Sequence, residues 1–144
     1  MRPTTLAETY ERIAAGVACE TALSEFLDAF YLTPTADGRL DTLRREPPRT
    51  GDARLDALAG AVAEYLARQY DLPSIPAWAF EPVRYLDRPW HTSSFDSDGM
   101  REYLTYASPA EFRSRNIFTE ERPLRRARAH LAKSPVSPGR SDPA

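Results

Sequence analysis

The chain of 144 residues is poor in the side chains on which extracellular scaffolds and many metal sites depend: it has a single cysteine, Cys19, and two histidines, His91 and His130. A lone cysteine excludes an internal disulfide and with it the framework of a small secreted domain. Cys19 and the two histidines also lack the spacing of a zinc site. No apolar run approaches the ~20 residues of a membrane-spanning helix. Glu8, Glu11 and Arg12 interrupt the N-terminal stretch, so it lacks the apolar core of a signal peptide. The expected setting is therefore a reducing cytoplasm, with no membrane contact. Phosphate-loop, nucleophile-elbow and HExxH patterns are absent, as are internal repeats. No catalytic residue, metal ligand or cofactor is assigned, and the chain is read as a non-enzyme.

Lysine is almost missing too, with Lys133 the single example, whereas arginine is plentiful. The charge is unevenly spread. Residues 1–107 carry 11 arginines and 17 acids, a net charge of −6. Residues 108–133 carry seven basic residues and three acids, a net charge of +4. An acidic body with a basic end suits a nucleic acid or an acidic protein surface, though a solvated helix face has the same composition.

Helical spacing dominates the first half. Thr4 or Thr5 offers a cap for a helix carrying Leu6, Tyr10, Ile13, Ala14 and Val17. Leu23, Phe26, Leu27, Phe30 and Tyr31 form a second apolar stripe, and Gly16 between the two marks either their turn or a weak point. Pro34 and Gly38 are read as ending this block. Leu40 and Leu43 predict a short helix before Pro47 and Pro48. Asp52 caps the longest helix, in which Leu55, Leu58, Ala59, Val62, Tyr65, Leu66 and Gln69 trace one stripe that ends near Tyr70.

Residues 73–90, PSIPAWAFEPVRYLDRPW, differ in texture. Pro73, Pro76, Pro82 and Pro89 exclude long helices and central strands. The aromatic and aliphatic content is too high for a disordered linker. The segment is read as an ordered, extended strap with a helical turn or two, laid over the helices. His91 to Ser97 is a polar loop, followed by a short helix carrying Met100, Tyr103, Leu104 and Ala107. In SPAEFRSRNIF (108–118), Ser108 and Glu111 spell a capping box with Pro109 at the first helical position and Phe112 turned inward. Asn116 is a left-handed stop. A last helix with Leu124, Ala127 and Leu131 starts near Pro123, and the Pro/Ser-rich residues 134–144 form a mobile tail. Strand signals are weak. The fold expectation is all-α: a single small irregular helical domain over residues 1–133 with a Pro/aromatic-rich strap between helices.

The basic helix RPLRRARAH places Arg122, Arg125 and Arg126 on one face, suited to phosphate. It has no companion helix-turn-helix and no aromatic interleaving for single strands, so nucleic-acid binding is the second reading. A third class, a small enzyme, would place its site in the loop from His91 to Asp98, where Phe95 to Asp98 (FDSD) holds two carboxylates but no complete ligand pattern. Trp78 and Trp90 are either core anchors of the strap or interface residues.

As a set, ALSEFLDAFY, EPPRTGDARLDALAGAVAEYLA, LPSIPAW, YLDRPW and SPAEFRSRNIF, spread over about residues 20–130, resemble a family of small bacterial antitoxin-like proteins encoded beside nucleotidyltransferase-like toxins. Some members carry an N-terminal helix-turn-helix that this chain lacks. The resemblance implies neutralisation of a cognate nucleotidyltransferase-like toxin by direct protein binding. The candidate contacts are Trp78, Trp90, Arg113, Arg115, Ile117, Phe118, Arg122, Arg125 and Arg126. Capping accounts for the first half of SPAEFRSRNIF, so its second half, RSRNIF, is the part left open to function.

Overall fold

A computed structural model describes residues 5–92, 107–119 and 124. The loop expected over 93–97, the helix expected over 100–107 apart from Ala107, the last helix apart from Leu124, and the tail lie outside these residues. The fold is all-α. Helix α1 (Leu6–Ala14) is capped by Thr5, one of the two threonines offered for the cap, and the structure adds a full capping box with Glu8. The Thr5 hydroxyl accepts from the Glu8 N–H at 3.0 Å, and the Glu8 carboxylate accepts from the Thr5 N–H at 3.1 Å. Gly16, at φ +111°, closes the helix: its N–H donates to Ile13 O and that of Val17 to Arg12 O. Helix α2 (Cys19–Leu32) packs on α1 and buries Ala22, Leu23, Phe26, Leu27 and Phe30.

Helix α3 (Ala36–Arg44) starts earlier than expected. Gly38 does not end the preceding block; it sits in the first turn of α3, where its N–H donates to Thr35 Oγ1 at 3.0 Å. A Cβ on Gly38 would lie 2.9 Å from that same oxygen, so the close cap favours glycine there.

Helix α4 (Ala53–Gln69) is the axle of the domain. Asp52 caps it, accepting from the N–H groups of Arg54 and Leu55. Asp71, in the left-handed region at φ +52°, ends it, with the Leu72 N–H returning to Ala67 O at 2.9 Å. The single stripe expected of α4 is corrected. Leu55, Leu58 and Tyr65 are only partly buried and Gln69 is exposed, while Ala57, Ala59, Gly60, Ala61, Ala63 and Ala67 are buried. Small residues contribute little to a hydrophobic pattern, but they let other backbones approach closely, so this helix is covered on nearly every side.

The strap supplies much of that cover. Two short 3₁₀ turns, Ala77–Phe80 and Pro82–Arg84, lie against α4. They are joined there by the four-residue helix α5 (Ala110–Arg113). Trp78 is buried, and its indole N–H donates to Leu43 O at 2.9 Å, which links the strap to the end of α3. One feature escaped the sequence reading. Strand β1 (Trp90–His91) pairs in parallel with β2 (Ile117–Phe118), Trp90 opposite Ile117 and His91 opposite Phe118. Asn116, at φ +65°, turns the chain out of α5 into this ladder, as its reading as a left-handed stop anticipated. Two residues per strand are too few to show a period of two.

Candidate partner-binding surface

The segment SPAEFRSRNIF is built differently from its sequence signature. Pro109, not Ser108, is the N-cap of α5, and no side chain caps this helix. The Ser108 hydroxyl instead accepts from the Thr119 N–H at 2.7 Å and donates to Thr119 O at 3.0 Å, closing the segment into a loop. Glu111 turns toward Arg68, 3.7 Å away, rather than back to Ser108. The capping box is thus lost to a longer-range contact that satisfies both groups of Thr119. Phe112 is buried as expected, edge-on to Tyr65 with ring centroids 5.6 Å apart.

The two arginines of the segment part company. Arg113 is exposed, with Nη1 donating to Ser108 O at 3.1 Å. Arg115 has no exposed surface. Its Nη1 reaches Glu64 Oε1 at 2.6 Å and Glu111 O at 2.9 Å, and its Nη2 reaches Ala79 O at 2.6 Å. The guanidinium lies 4.6 Å from the centre of the Tyr85 ring. Burying an arginine is costly unless its charge and donors are met. Here α4 supplies the opposite charge and the strap and α5 supply carbonyls to the Nη atoms, while the Nε of Arg115, like that of Arg84, is buried without a hydrogen-bond partner.

Arg84, which the sequence reading passed over, repeats the device from the strap. It too has no exposed surface; its Nη2 meets Glu46 Oε2 at 3.0 Å and Pro47 O at 2.9 Å, and its Nη1 meets Asp56 O at 3.2 Å. Gly60 is where the two arginines cross α4. A Cβ there would stand 2.8 Å from Arg84 Cβ, 3.0 Å from Ala79 O and 3.0 Å from Arg115 Nε. Only glycine allows so close an approach. Arg84 and Arg115 therefore pin strap and C-terminal segment to one point of α4. The sequence held no signal that sets Arg84 apart, since Glu81, Asp87 and Arg88 share the strap with it.

Of the candidate contacts, Trp78, Arg115 and Ile117 thus lie inside the domain and are not on the surface of the free chain. Trp90 is partly exposed, with the Arg54 guanidinium 5.3 Å from its ring. Phe118 is partly exposed and stacked on His91, with centroids 5.0 Å apart and planes 20° apart. Arg113 is tied to the same edge, because it bonds Ser108, which bonds the residue after Phe118. On the strap, Phe80 is 44% exposed, making it and Leu32 the two large apolar side chains most open to solvent among the described residues. Arg122, Arg125 and Arg126 lie outside the described residues. The edge that remains combines arginine with aromatic rings, the residue types that dominate protein interfaces.

Perturbed titrating groups sit elsewhere. Burial, aided by nearby Tyr70, pushes the Tyr31 phenol far above its ordinary value. Burial also pushes up Tyr10, whose hydroxyl donates to Leu55 O at 2.7 Å. The Cys19 thiol is raised by burial first and by Asp52 and Glu20 second, the reverse of an activated nucleophile. Among the described residues no three His, Cys, Asp or Glu side chains gather as metal ligands, and no described helix is long and apolar enough to cross a membrane. No family model, curated protein or solved structure matches this chain.

Proposed function

We propose that the chain is an antitoxin-like protein that neutralises a nucleotidyltransferase-type toxin by binding it directly. The observation that carries this reading is the group of arginine and aromatic side chains with exposed surface in and beside the β1–β2 ladder: the Phe118–His91 stack, the partly exposed Trp90 with Arg54 over its ring, and the exposed Arg113. Trp90, Arg54, Arg113 and Phe118 come from three of the segments that carry the resemblance, YLDRPW, EPPRTGDARLDALAGAVAEYLA and SPAEFRSRNIF, and His91 directly follows the first. Arginine and aromatic side chains on a rigid edge give large contact area at low cost in side-chain entropy. A nucleotidyltransferase has to hold acidic metal ligands and admit nucleotide phosphates. A partner edge of this kind, followed by the basic stretch to residue 133, would cover such a site or exclude its substrate.

The test is co-expression with the product of the adjacent gene, followed by pull-down and by growth of cells that carry both. Stable association and restored growth are expected, with Arg113→Ala weakening the complex while leaving the fold intact. Absence of both association and rescue removes the antitoxin reading. The second reading, a nucleic-acid-binding regulator, is favoured by the net charge of +4 over residues 108–133. It predicts a low-salt gel shift that fades steeply with added salt.

A further inference from the structure

The strap with strand β1 (residues 73–92) and the segment 108–119 are knit to each other through their backbones. The N–H of Leu86 donates to Arg115 O at 3.2 Å, that of Trp90 to Asn116 O at 2.8 Å and that of Thr92 to Phe118 O at 3.0 Å. The Asn116 side chain adds a bond from Nδ2 to Leu86 O at 2.8 Å. Among the described residues, neither segment shares a backbone-to-backbone hydrogen bond with α1–α4. Their polar ties to the rest of the domain run through side chains instead. The Trp78 indole bonds Leu43 O, Arg84 bonds Glu46, Pro47 O and Asp56 O, Arg115 bonds Glu64, and Glu111 lies 3.7 Å from Arg68. Trp78, Ala79, Phe112 and Ile117 add the apolar part of the contact with the core. The chain passes from α4 into the strap through Asp71, at φ +52°, and Pro73, so no helix runs from one to the other.

We infer that residues 73–92 and 108–119 form one leaf that opens from α4 as a unit, at a lower free energy than unfolding of the α1–α4 body. Desolvation offsets much of the attraction in a buried ion pair. The partnerless Nε of Arg84 and of Arg115 subtracts further. When the leaf lifts away, both guanidiniums and Glu64 return to water and recover that cost. The body keeps a core of its own, with Tyr10, Phe26, Phe30, Leu43, Val62 and Leu66 all buried in α1–α4. Sub-global openings of this kind follow such boundaries between cooperative units. The leaf carries Trp90, His91, Arg113 and Phe118, so the aromatic side chains of the surface described above move with it, while Arg54 stays on α4.

Amide hydrogen exchange followed by NMR reads the opening directly, because a protected amide exchanges through its open state. In the natural chain the amides of Leu86, Trp90, Thr92, Arg115 and Asn116 are expected to share one opening free energy, below that of Leu27 and Phe30 in α2. Glu46 pairs with Arg84 of the strap and its side chain is 40% exposed, so Glu46→Gln removes one charge without disturbing the core. It is expected to speed exchange about ten-fold at Leu86, Trp90 and Thr92, and equally at Arg115 and Asn116, with Leu27 and Phe30 unchanged. The leaf is refuted if Arg115 and Asn116 keep their rates while the strap amides speed up, since the two segments then open separately. It is equally refuted if Leu27 and Phe30 speed up in parallel, if they match the leaf amides in the natural chain, or if no amide responds. The measurement needs no partner, so its failure would leave the antitoxin reading standing.

Discussion

Replacing Arg115 by alanine separates a structural arginine from a contact arginine. The substitution removes the three hydrogen bonds from the guanidinium to Glu64, Glu111 O and Ala79 O. Glu64, 7% exposed, keeps only its bond to Arg68 Nε at 2.8 Å. Ala79 O loses its guanidinium donor, Glu111 O is left with the Ser114 hydroxyl at 3.4 Å, and the ring of Tyr85 loses the cation beside it. Taking one partner from a buried ion pair costs about 3–5 kcal/mol. That is a large share of the roughly 5–15 kcal/mol that holds a domain together. With a urea slope near 2 kcal/mol per molar, the unfolding midpoint falls by about 1.5–2.5 M. The assay is urea unfolding followed by circular dichroism and by the fluorescence of Trp78 and Trp90. Arg113→Ala, at an exposed position, serves as the control and shifts stability by no more than about 0.5 kcal/mol. The double variant Arg115→Met with Glu64→Leu removes both charges and is expected to recover part of the loss. A midpoint for Arg115→Ala within about 0.3 M of the natural chain would refute the assignment of this residue as the pin between strap and α4.

Three further outcomes follow from the same structure. Gly60→Ala forces a methyl group to within 2.8–3.0 Å of Arg84 Cβ, Ala79 O and Arg115 Nε; it should cost about 1–3 kcal/mol, and an unchanged melting temperature would show that the crossing is looser than the distances indicate. Tyr10 and Tyr31 have phenol pKa values raised by burial. Their contribution to stability is complete below the unfolded value near 10 and is lost as pH rises above it, by up to about 1.4 kcal/mol per pH unit for each. Phenolate absorbance of these two should therefore appear together with loss of circular dichroism; reversible titration of every tyrosine near pH 10 in a folded chain would contradict it. Cys19, with its thiol raised by burial, should react with iodoacetamide several times more slowly than in the urea-unfolded chain at neutral pH, and equal rates would argue against its burial.

Sequence and structure agree where the physics is local. The Thr5 and Asp52 caps, the Gly16 turn and the left-handed Asn116 each depend on a few neighbouring residues, and each stands where the pattern put it. The stripe of α2 is equally clear because its partners need only be apolar. Agreement fails where a local signature competes with a distant partner. Ser108 and Glu111 spell a capping box, yet Thr119 and Arg68 take their side chains. In α4, Ala57, Ala61, Ala63 and Ala67, which lay outside the expected stripe, are buried along with its Ala59, Val62 and Leu66, because what they contribute is room for the elements packed on them.

Composition and periodicity alone determined that this is a helical chain with an acidic body, a basic end and an ordered, proline-interrupted strap. They also placed the caps at Thr5 and Asp52, since such caps are written within a turn of the chain. Only the tertiary structure decided which arginines are inside. An arginine has the same appearance in sequence whether water or a fold surrounds it. What buries Arg115 is a carboxylate 51 positions away and a carbonyl 36 positions away, and what makes room for it is the absent side chain of Gly60. The same packing left Arg113, two residues earlier, in solvent.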